Sequence, residues 1–161
     1  MLIVSNTSPI NYLVLIDAID VLPKLHERVA IPMAVWNELR APATPGTVRQ
    51  WVDRPPDWIE IRHPKLPPDD RLDHLGRGER DAILLAQELD APLAIDEAKA
   101  CREAQRRKIP VLRTLAVLEK GAERGLIDLA KAVARLRQTN FRVRREILDQ
   151  LLERHGARSK S

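Results

Sequence analysis

The sequence predicts an α/β fold in which a central parallel sheet lies between helices on both sides, a three-layer α/β/α sandwich. Two observations lead to this prediction. Short apolar runs alternate along the chain with segments of helical periodicity, which is the order typical of parallel sheets. The runs are apolar at consecutive positions, as expected for strands that are buried on both faces.

The predicted strands are short and separated by helical segments. They cover residues 2–4, 29–31, 58–62, 92–95 and 110–112. Ser8 is in position to cap the first helix with Pro9 in its first turn, and Pro32 is placed to begin the second. The later helices are predicted from residue 77 onward and over 97–107, 114–124, 128–137 and 143–154. The Pro-rich segment 40–57 breaks the pattern, and segment 63–76 reads as a long polar loop with a functional or mobile role.

The composition narrows the class of protein. The chain has 161 residues, a net charge of +4, a single Cys and four His. We predict one domain over residues 1–155 and a disordered basic tail over 156–161, with no disulfide framework and no zinc site. One Phe and one Tyr exclude a platform of stacked aromatic rings for RNA. No apolar run is long enough to span a membrane, and no basic leader begins the chain, so we expect a cytoplasmic protein.

Acidic and amide side chains stand where ligands of parallel sheets bind, beyond the carboxyl ends of the strands. Asn6 follows the first predicted strand, and Asp96 and Glu97 follow the fourth. Glu38 and Glu79 lie three or four residues from apolar positions of their helices, which indicates that their carboxylates border the core-facing side. Glu97 has the same relation to the helix that follows it. We therefore expect these side chains to converge.

Each of these residues also has a purely structural interpretation. Asp96 can cap the next helix, Glu79 can stabilise a helix N-terminus, Glu38 can be a half-exposed helix acid, and Asn6 can be a turn residue. Because carboxylates that share one crevice raise each other's pKa, their combination favours a common cation. Ligands that are all oxygen indicate Mg²⁺ or Mn²⁺, which polarise a phosphoryl oxygen and activate water.

Basic residues are concentrated next to this predicted acidic pocket. Those between positions 99 and 113 are Lys99, Arg102, Arg106, Arg107, Lys108 and Arg113, and another cluster begins at Arg142. A solvated helix face is one interpretation of either cluster. The other is a basic rim that holds a phosphodiester backbone beside the metal, for which Lys99, Arg102 and Arg113 are the candidates.

The order and spacing of four segments resemble those of PIN-domain proteins. The segments are Leu2-Ile-Val-Ser-Asn6-Thr7-Ser8-Pro9, Ile31-Pro32 with Glu38 following, Gly78-Glu79-Arg-Asp-Ala-Ile, and Leu93-Ala-Ile-Asp96-Glu97. The chain looks like a prokaryotic branch of uncharacterised PIN-like proteins that begin with Asn-Thr in place of Asp-Thr. The resemblance covers about residues 2 to 125, and the two final helices are in keeping with it.

The resemblance implies a parallel sheet of about five strands and a metal-dependent ribonuclease site. It assigns the four acidic sites, in chain order, to Asn6, to Glu38, to Glu79, and to Asp96 or Glu97. These residues are the predicted catalytic residues and metal ligands. Thr7 or Ser8 matches the hydroxyl that accompanies the first acid, and Thr114 is predicted to support the site.

Many PIN-domain relatives are toxins that a small cognate antitoxin holds inactive, and PIN domains often form dimers. The leading hypothesis is therefore an endoribonuclease that uses Mg²⁺ or Mn²⁺ to cleave RNA phosphodiesters as the toxin of such a pair. Its expected partners are RNA, a small antitoxin and a second copy of the chain.

Asn6 is the departure from the family pattern. Its amide oxygen can bind a metal, but one negative charge is lost. A second hypothesis is therefore a PIN-like module that binds nucleic acid or a partner without cleaving RNA. A third, a phospho-acceptor regulator of similar architecture, requires paired acids after the first strand and a Lys after the last. Ser5-Asn6 and Arg113-Thr114 occupy those places.

Overall fold

The sheet has five strands, all parallel, in the order β3-β2-β1-β4-β5. The computed structural model describes residues 1–159, with side chains as far as Gly156. The strands are β1 (Leu2–Ser5), β2 (Arg28–Pro32), β3 (Ile59–Arg62), β4 (Leu93–Ala94) and β5 (Val111–Leu112). The predicted fold class is confirmed, because helices cover both faces of this sheet.

Within the described residues, each strand is followed by one or more helices. They are α1 (Thr7–Leu15), α2 (Val21–His26), α3 (Met33–Leu39), α4 (Gly46–Asp53), α5 (Arg77–Leu89), α6 (Ala98–Arg106), α7 (Thr114–Glu123), α8 (Leu129–Leu136) and α9 (Arg145–Ser159), with a 3-10 helix at Asp70–Leu72. Within residues 1–159, none of them combines the length and the apolar character that a membrane span requires.

The core has two parts, one on each face of the sheet. Neighbouring residues of a strand point to opposite faces, so Ile3 packs in one part and Val4 in the other, and both are fully buried. The larger part lies under α1, α2, α3, α4, α7, α8 and α9, and the smaller part under α5 and α6. The consecutive apolar residues of β1 are explained by this burial on both faces.

Two short helices are missing from the sequence-based prediction. Segment 40–57 was expected to be irregular, but it contains α4, whose Val48 and Val52 are fully buried one helical turn apart. Pro45 precedes this helix and does not interrupt it. Helix α2 is only six residues long, and its Pro23 obscures the pattern that Val21 and Leu22 begin.

Two helix boundaries also differ from the prediction. Ser8 does not cap α1, because the helix begins at Thr7 and Asn6 is the N-cap residue. At the other end of the chain, α9 continues to Ser159 where a tail was predicted from Gly156. Positions 160 and 161 of that tail lie outside the described residues. A single domain over 1–155 stays a prediction.

His26, the last residue of α2, is a buried polar side chain without a partner. It is 7% exposed, and neither ring nitrogen has a hydrogen-bond partner among the described residues. Burial lowers the pKa of His26, and the positive charges of Lys120, the N-terminus and Arg124 lower that pKa further. Burial and the neighbouring positive charges therefore both disfavour the protonated imidazole.

We expect acid to destabilise the protein through His26. Because its folded-state pKa lies below the ordinary value of about 6.5, the unfolded chain binds the proton first. The free energy of unfolding therefore falls as the pH drops from that value toward the folded-state pKa. Urea unfolding at pH values above and below this range should show that acid lowers the free energy of unfolding more for the wild type than for His26→Leu. Equal decreases in the two proteins would contradict the role of His26.

Candidate acidic site

The predicted site residues lie at the carboxyl edge of the sheet. Asn6 follows β1, Asp96 lies two residues after β4, and Thr114 lies two residues after β5. Strands β1, β4 and β5 are neighbours in the sheet, so these three positions are brought together although they are far apart in the sequence. Helices α3 and α5 supply Glu38 and Glu79 to the same edge.

Asp96 is held by three hydrogen bonds from two helices. The Thr114 backbone N–H donates to Oδ1 at 2.9 Å, and the Thr114 hydroxyl donates to Oδ2 at 2.6 Å. The Ser8 hydroxyl donates to the same Oδ2 at 2.8 Å. Thr114 is fully buried, so this end of α7 is a rigid support. The two predicted supporting hydroxyls thus fix the orientation of the Asp96 carboxylate.

Glu38 lies against the first turn of α5. The Thr7 hydroxyl donates a hydrogen bond to its Oε2. A Cβ placed on Gly78 would lie 2.5 Å from Glu38 Oε1, so no larger residue fits there unless the carboxylate moves away. The absence of a side chain at Gly78 therefore allows Glu38, itself exposed, to approach the backbone beside Glu79.

Glu79 has one satisfied and one unsatisfied carboxylate oxygen. Its Oε1 accepts the Gly76 backbone N–H at 3.2 Å, which stabilises the start of α5. Its Oε2 is buried and receives no hydrogen bond from a donor of the described residues, although the side chain interacts with the carboxylate of Glu97. Burial raises the pKa of Glu79, and the charges of Glu97 and Glu38 raise it further, while the Gly76 N–H lowers it. Three carboxylates therefore act on one another at this point.

Glu97 is exposed and caps α6, where it accepts the Ala100 backbone N–H at 2.8 Å. The prediction that Glu97 faces the core with the apolar side of its helix is wrong. Burial alone would raise its pKa, but the backbone N–H groups of Ala100 and Lys99 and the interaction with Glu79 outweigh it and lower the pKa. The pKa values of the two neighbouring carboxyl groups are thus shifted in opposite directions, that of Glu97 downward and that of Glu79 upward.

Within the part of the chain that the structure describes, two buried oxygens of the site have no donor, Asn6 Oδ1 and Glu79 Oε2. Asn6 is 6% exposed, so water does not readily satisfy its oxygen. An unpaired buried polar atom costs about 1–3 kcal/mol, and a cation bound to both oxygens would remove that cost. The residues present thus fit a hard divalent ion, because every available ligand atom is oxygen.

The carboxylates of the acidic site do not form a closely spaced group. Among the described residues, the one group whose His, Cys, Asp or Glu ligand atoms all lie within 4.8 Å of one another is Glu119, Glu123 and His155. That group joins α7 to α9 and is separate from the acidic site. Water would therefore have to complete the coordination of an ion bound at the acidic site.

The predicted basic residues flank the acidic edge. Lys99 and Arg102 are exposed on α6, the helix that Glu97 caps. Arg113 is the N-cap residue of α7 and lies beside Cys101, whose pKa is raised by burial and lowered in part by that guanidinium. These positions place cationic side chains next to the carboxylates, which is the arrangement expected for a polyanion.

Tyr12 is a residue near the site that the sequence analysis did not identify. Burial raises its pKa, the charge of Asp96 raises it further, and the charge of Arg142 lowers it in part. Its hydroxyl donates to Asn140 at 2.8 Å, and its ring meets Phe141 edge to face. The spacing of four residues from Ser8 on α1 is the signal that would have found it.

An α/β/α sandwich with carboxylates at the carboxyl edge of its parallel sheet is compatible with a nuclease-type fold. The chain belongs to the PIN domain family, whose model matches residues 2–157, so the predicted resemblance is confirmed. PIN domains are generally metal-dependent nucleases, and they typically use divalent ions and bind nucleic acid.

The fold is also similar to that of a solved structure. A PilT N-terminus domain protein from the hyperthermophilic archaeon Sulfolobus solfataricus P2 aligns with a TM-score of 0.57 and 17% sequence identity. The alignment covers 76% of this chain and 95% of that protein, and it supports the fold alone. A comparison with curated proteins gave no match.

Proposed function

We propose that this protein is an endoribonuclease that depends on Mg²⁺ or Mn²⁺ and acts as the toxin of a toxin–antitoxin pair. The observation that carries the proposal is a pair of buried oxygens, Asn6 Oδ1 and Glu79 Oε2, that no donor of the described residues reaches, at the edge of a PIN-domain sheet. Hydroxyl groups hold the neighbouring carboxylates in place around them. Such an arrangement is costly unless a ligand completes it.

The acidic residues would hold the ion. Glu38, Glu79, Glu97 and Asp96 supply carboxylate oxygens, and Asn6 supplies a neutral one. Ser8 and Thr114 keep Asp96 oriented, and Thr7 keeps Glu38 oriented. A divalent ion bound there supplies Lewis acidity toward a phosphoryl oxygen and a nucleophile at neutral pH.

The basic residues would hold the substrate. Lys99, Arg102 and Arg113 are exposed next to the acidic edge, and they would bind the RNA backbone through its phosphates. The net charge of +4 favours association with a polyanion. The proposed partners are RNA, a small antitoxin protein and a second copy of the chain, and the proposed site of action is the cytoplasm.

A second candidate function is a binding module that has lost catalysis. It is favoured by one observation: Asn6 stands in the first acidic position and contributes no negative charge. A weaker metal site would bind nucleic acid or a partner and leave the RNA intact. The geometry of Glu38, Glu79 and Asp96 favours the nuclease, since their supporting hydrogen bonds are all present.

An RNA cleavage assay with and without divalent metal separates these functions. We expect cleavage of single-stranded RNA in Mn²⁺ or Mg²⁺ and none in EDTA. Calorimetry with Mn²⁺ should show binding to the wild-type protein. Metal binding without cleavage would favour the binding module, and the absence of both would reject the metal site.

A further inference from the structure

A basic groove lies along the exposed side of α6 and begins next to the acidic site. Lys99, Arg102 and Arg106 follow one another at intervals of three and four residues, so they form one stripe. The stripe starts two residues after Glu97. From Lys99 to Arg106 the helix rises about 10 Å, which is longer than a single phosphate group needs.

A different part of the chain forms the opposite wall. Arg71 and His74, in and just after the 3-10 helix, line a cavity of about 390 Å³ with the α6 residues and Glu103. We call this cavity the α6 groove. It therefore brings together cationic side chains from two segments that are separated in the sequence.

The wall that carries Arg71 and His74 is anchored to the core. Leu72 is 1% exposed and Leu75 is 6% exposed, so both are buried on either side of His74. Arg107, the C-cap residue of α6, also holds the segment in place, because its Nη2 donates a hydrogen bond to Asp69 Oδ2 at 2.7 Å. The long polar loop predicted from the sequence is thus a fixed wall, and Arg71 and His74 are presented in an ordered position.

The described residues neutralise the positive charge of the α6 groove only in part, through Glu103 in its lining and through the nearby carboxylates of Asp69 and Glu97. Glu103 is the acid of its lining, and its oxygens already accept bonds from Arg106 at 3.4 Å and Arg107 at 3.3 Å. Arg71, Lys99 and Arg102 make no ion pair with any residue of the described part of the chain. Within the described residues, Arg106 is the one cation of the lining that forms an ion pair with Glu103, so Arg71, Lys99 and Arg102 leave an excess of positive charge there.

We propose that the α6 groove binds the sugar–phosphate backbone of the RNA strand where it leaves the acidic site, with Arg71 and His74 as phosphate-binding residues in addition to Lys99 and Arg102. The proposal rests on the proposed ribonuclease function. The length of the groove favours several successive phosphates over one isolated anion. The groove runs along α6, which begins next to Glu97, so the strand would leave the site along this helix.

Equilibrium binding to metal-free protein tests the groove separately from catalysis. A fluorescently labelled single-stranded RNA is titrated in EDTA with the wild type and with the double variant Arg71→Gln/Arg102→Gln, at several salt concentrations. Each phosphate contact adds about 0.7 to the slope of log affinity against log salt for a single strand. The double variant should therefore lower this slope by about 1.4 and bind more weakly at low salt.

The matched control is Lys24→Gln/Lys131→Gln. It removes the same charge from two exposed lysines of α2 and α8, which make no ion pair within the described residues. An unchanged slope in the groove variant, or an equal loss in the control, would overturn the proposal. Absence of RNA binding by the wild type, or equal competition by polyglutamate of the same charge, would also overturn it.

The cleavage assay keeps the two proposals distinguishable. Loss of binding in the groove variant together with no metal-dependent cleavage by the wild type would retain the groove and reject the nuclease. Cleavage by the wild type together with unaltered RNA binding by the groove variant would retain the nuclease and reject the groove.

Discussion

Replacement of Glu79 by glutamine is expected to abolish metal-stimulated RNA cleavage, with a loss of at least about 100-fold, since even residues that only orient metal ligands cost 10–100-fold. Glutamine keeps the size of the side chain but removes the charge of the buried carboxylate, whose Oε2 is reached by no donor of the described residues. Its amide oxygen can still accept the Gly76 N–H that stabilises the start of α5.

The fold should survive this substitution. Burial and the charges of Glu97 and Glu38 raise the pKa of Glu79 in the folded protein, so its ionised form is disfavoured there. Without metal, wild-type stability therefore falls as the pH rises from the unfolded-state pKa of Glu79 to the folded one, and Glu79→Gln removes that loss. Thermal unfolding in EDTA at neutral pH should show the variant at least as stable as the wild type.

The control for this experiment is Glu146→Gln, which makes the same change at an exposed position of α9. It should leave cleavage and the stabilisation by Mn²⁺ unchanged. Undiminished cleavage by Glu79→Gln would remove Glu79 from the site, and a large loss of stability in EDTA would show that its role is structural.

Replacement of Asn6 by aspartate is expected to lower the Kd for the metal by about tenfold or more. An added attraction of about 1.4 kcal/mol corresponds to a tenfold change in Kd. The new carboxylate lies at a position that is 6% exposed, close to Thr7 and the Glu38 carboxylate that Thr7 binds. It restores the charge that the first acidic position of the family pattern carries. Cleavage in Mn²⁺ should rise with metal affinity.

The same substitution should destabilise the metal-free protein. A buried, unpaired carboxylate beside others costs about 1–3 kcal/mol or more, so Asn6→Asp should unfold at lower urea concentration in EDTA and recover in Mn²⁺. Gln138→Glu, an equal charge change at an exposed position after α8, should show neither effect. If metal affinity is the same in Asn6→Asp and the wild type, Asn6 is not a ligand. An inactive wild type with an active Asn6→Asp would instead favour the binding module.

Local sequence patterns were sufficient for much of the architecture. The strands are apolar at consecutive positions because both faces are covered, and β1 shows this directly in Ile3 and Val4. Helix α5 was predicted from residue 77 onward, and it begins at Arg77 after Gly76, because its apolar spacing is regular over 13 residues. Helix α4 was missed since only two buried residues, Val48 and Val52, carry its signal.

The acidic side chains of the site were also visible in the sequence, but their separate roles were not. Spacing could not decide between Asp96 and Glu97, and it assigned Glu97 to the core side. The structure shows Glu97 as the cap of α6, while Ser8 and Thr114, 88 and 18 residues away in the chain, hold Asp96. A carboxylate turns toward its donors, and these donors come from other elements.

By itself, therefore, the sequence determined the layers of the fold, the strand ends at which polar residues gather, and the residue types that suit a hard cation. Each of these follows from the chemistry of neighbours along the chain. Tertiary structure alone decided that Asn6 Oδ1 and Glu79 Oε2 are left without donors, that Gly78 makes room for Glu38, and that Arg71 faces α6. Burial, close approach and unbalanced charge are properties of groups that meet only after the chain has folded.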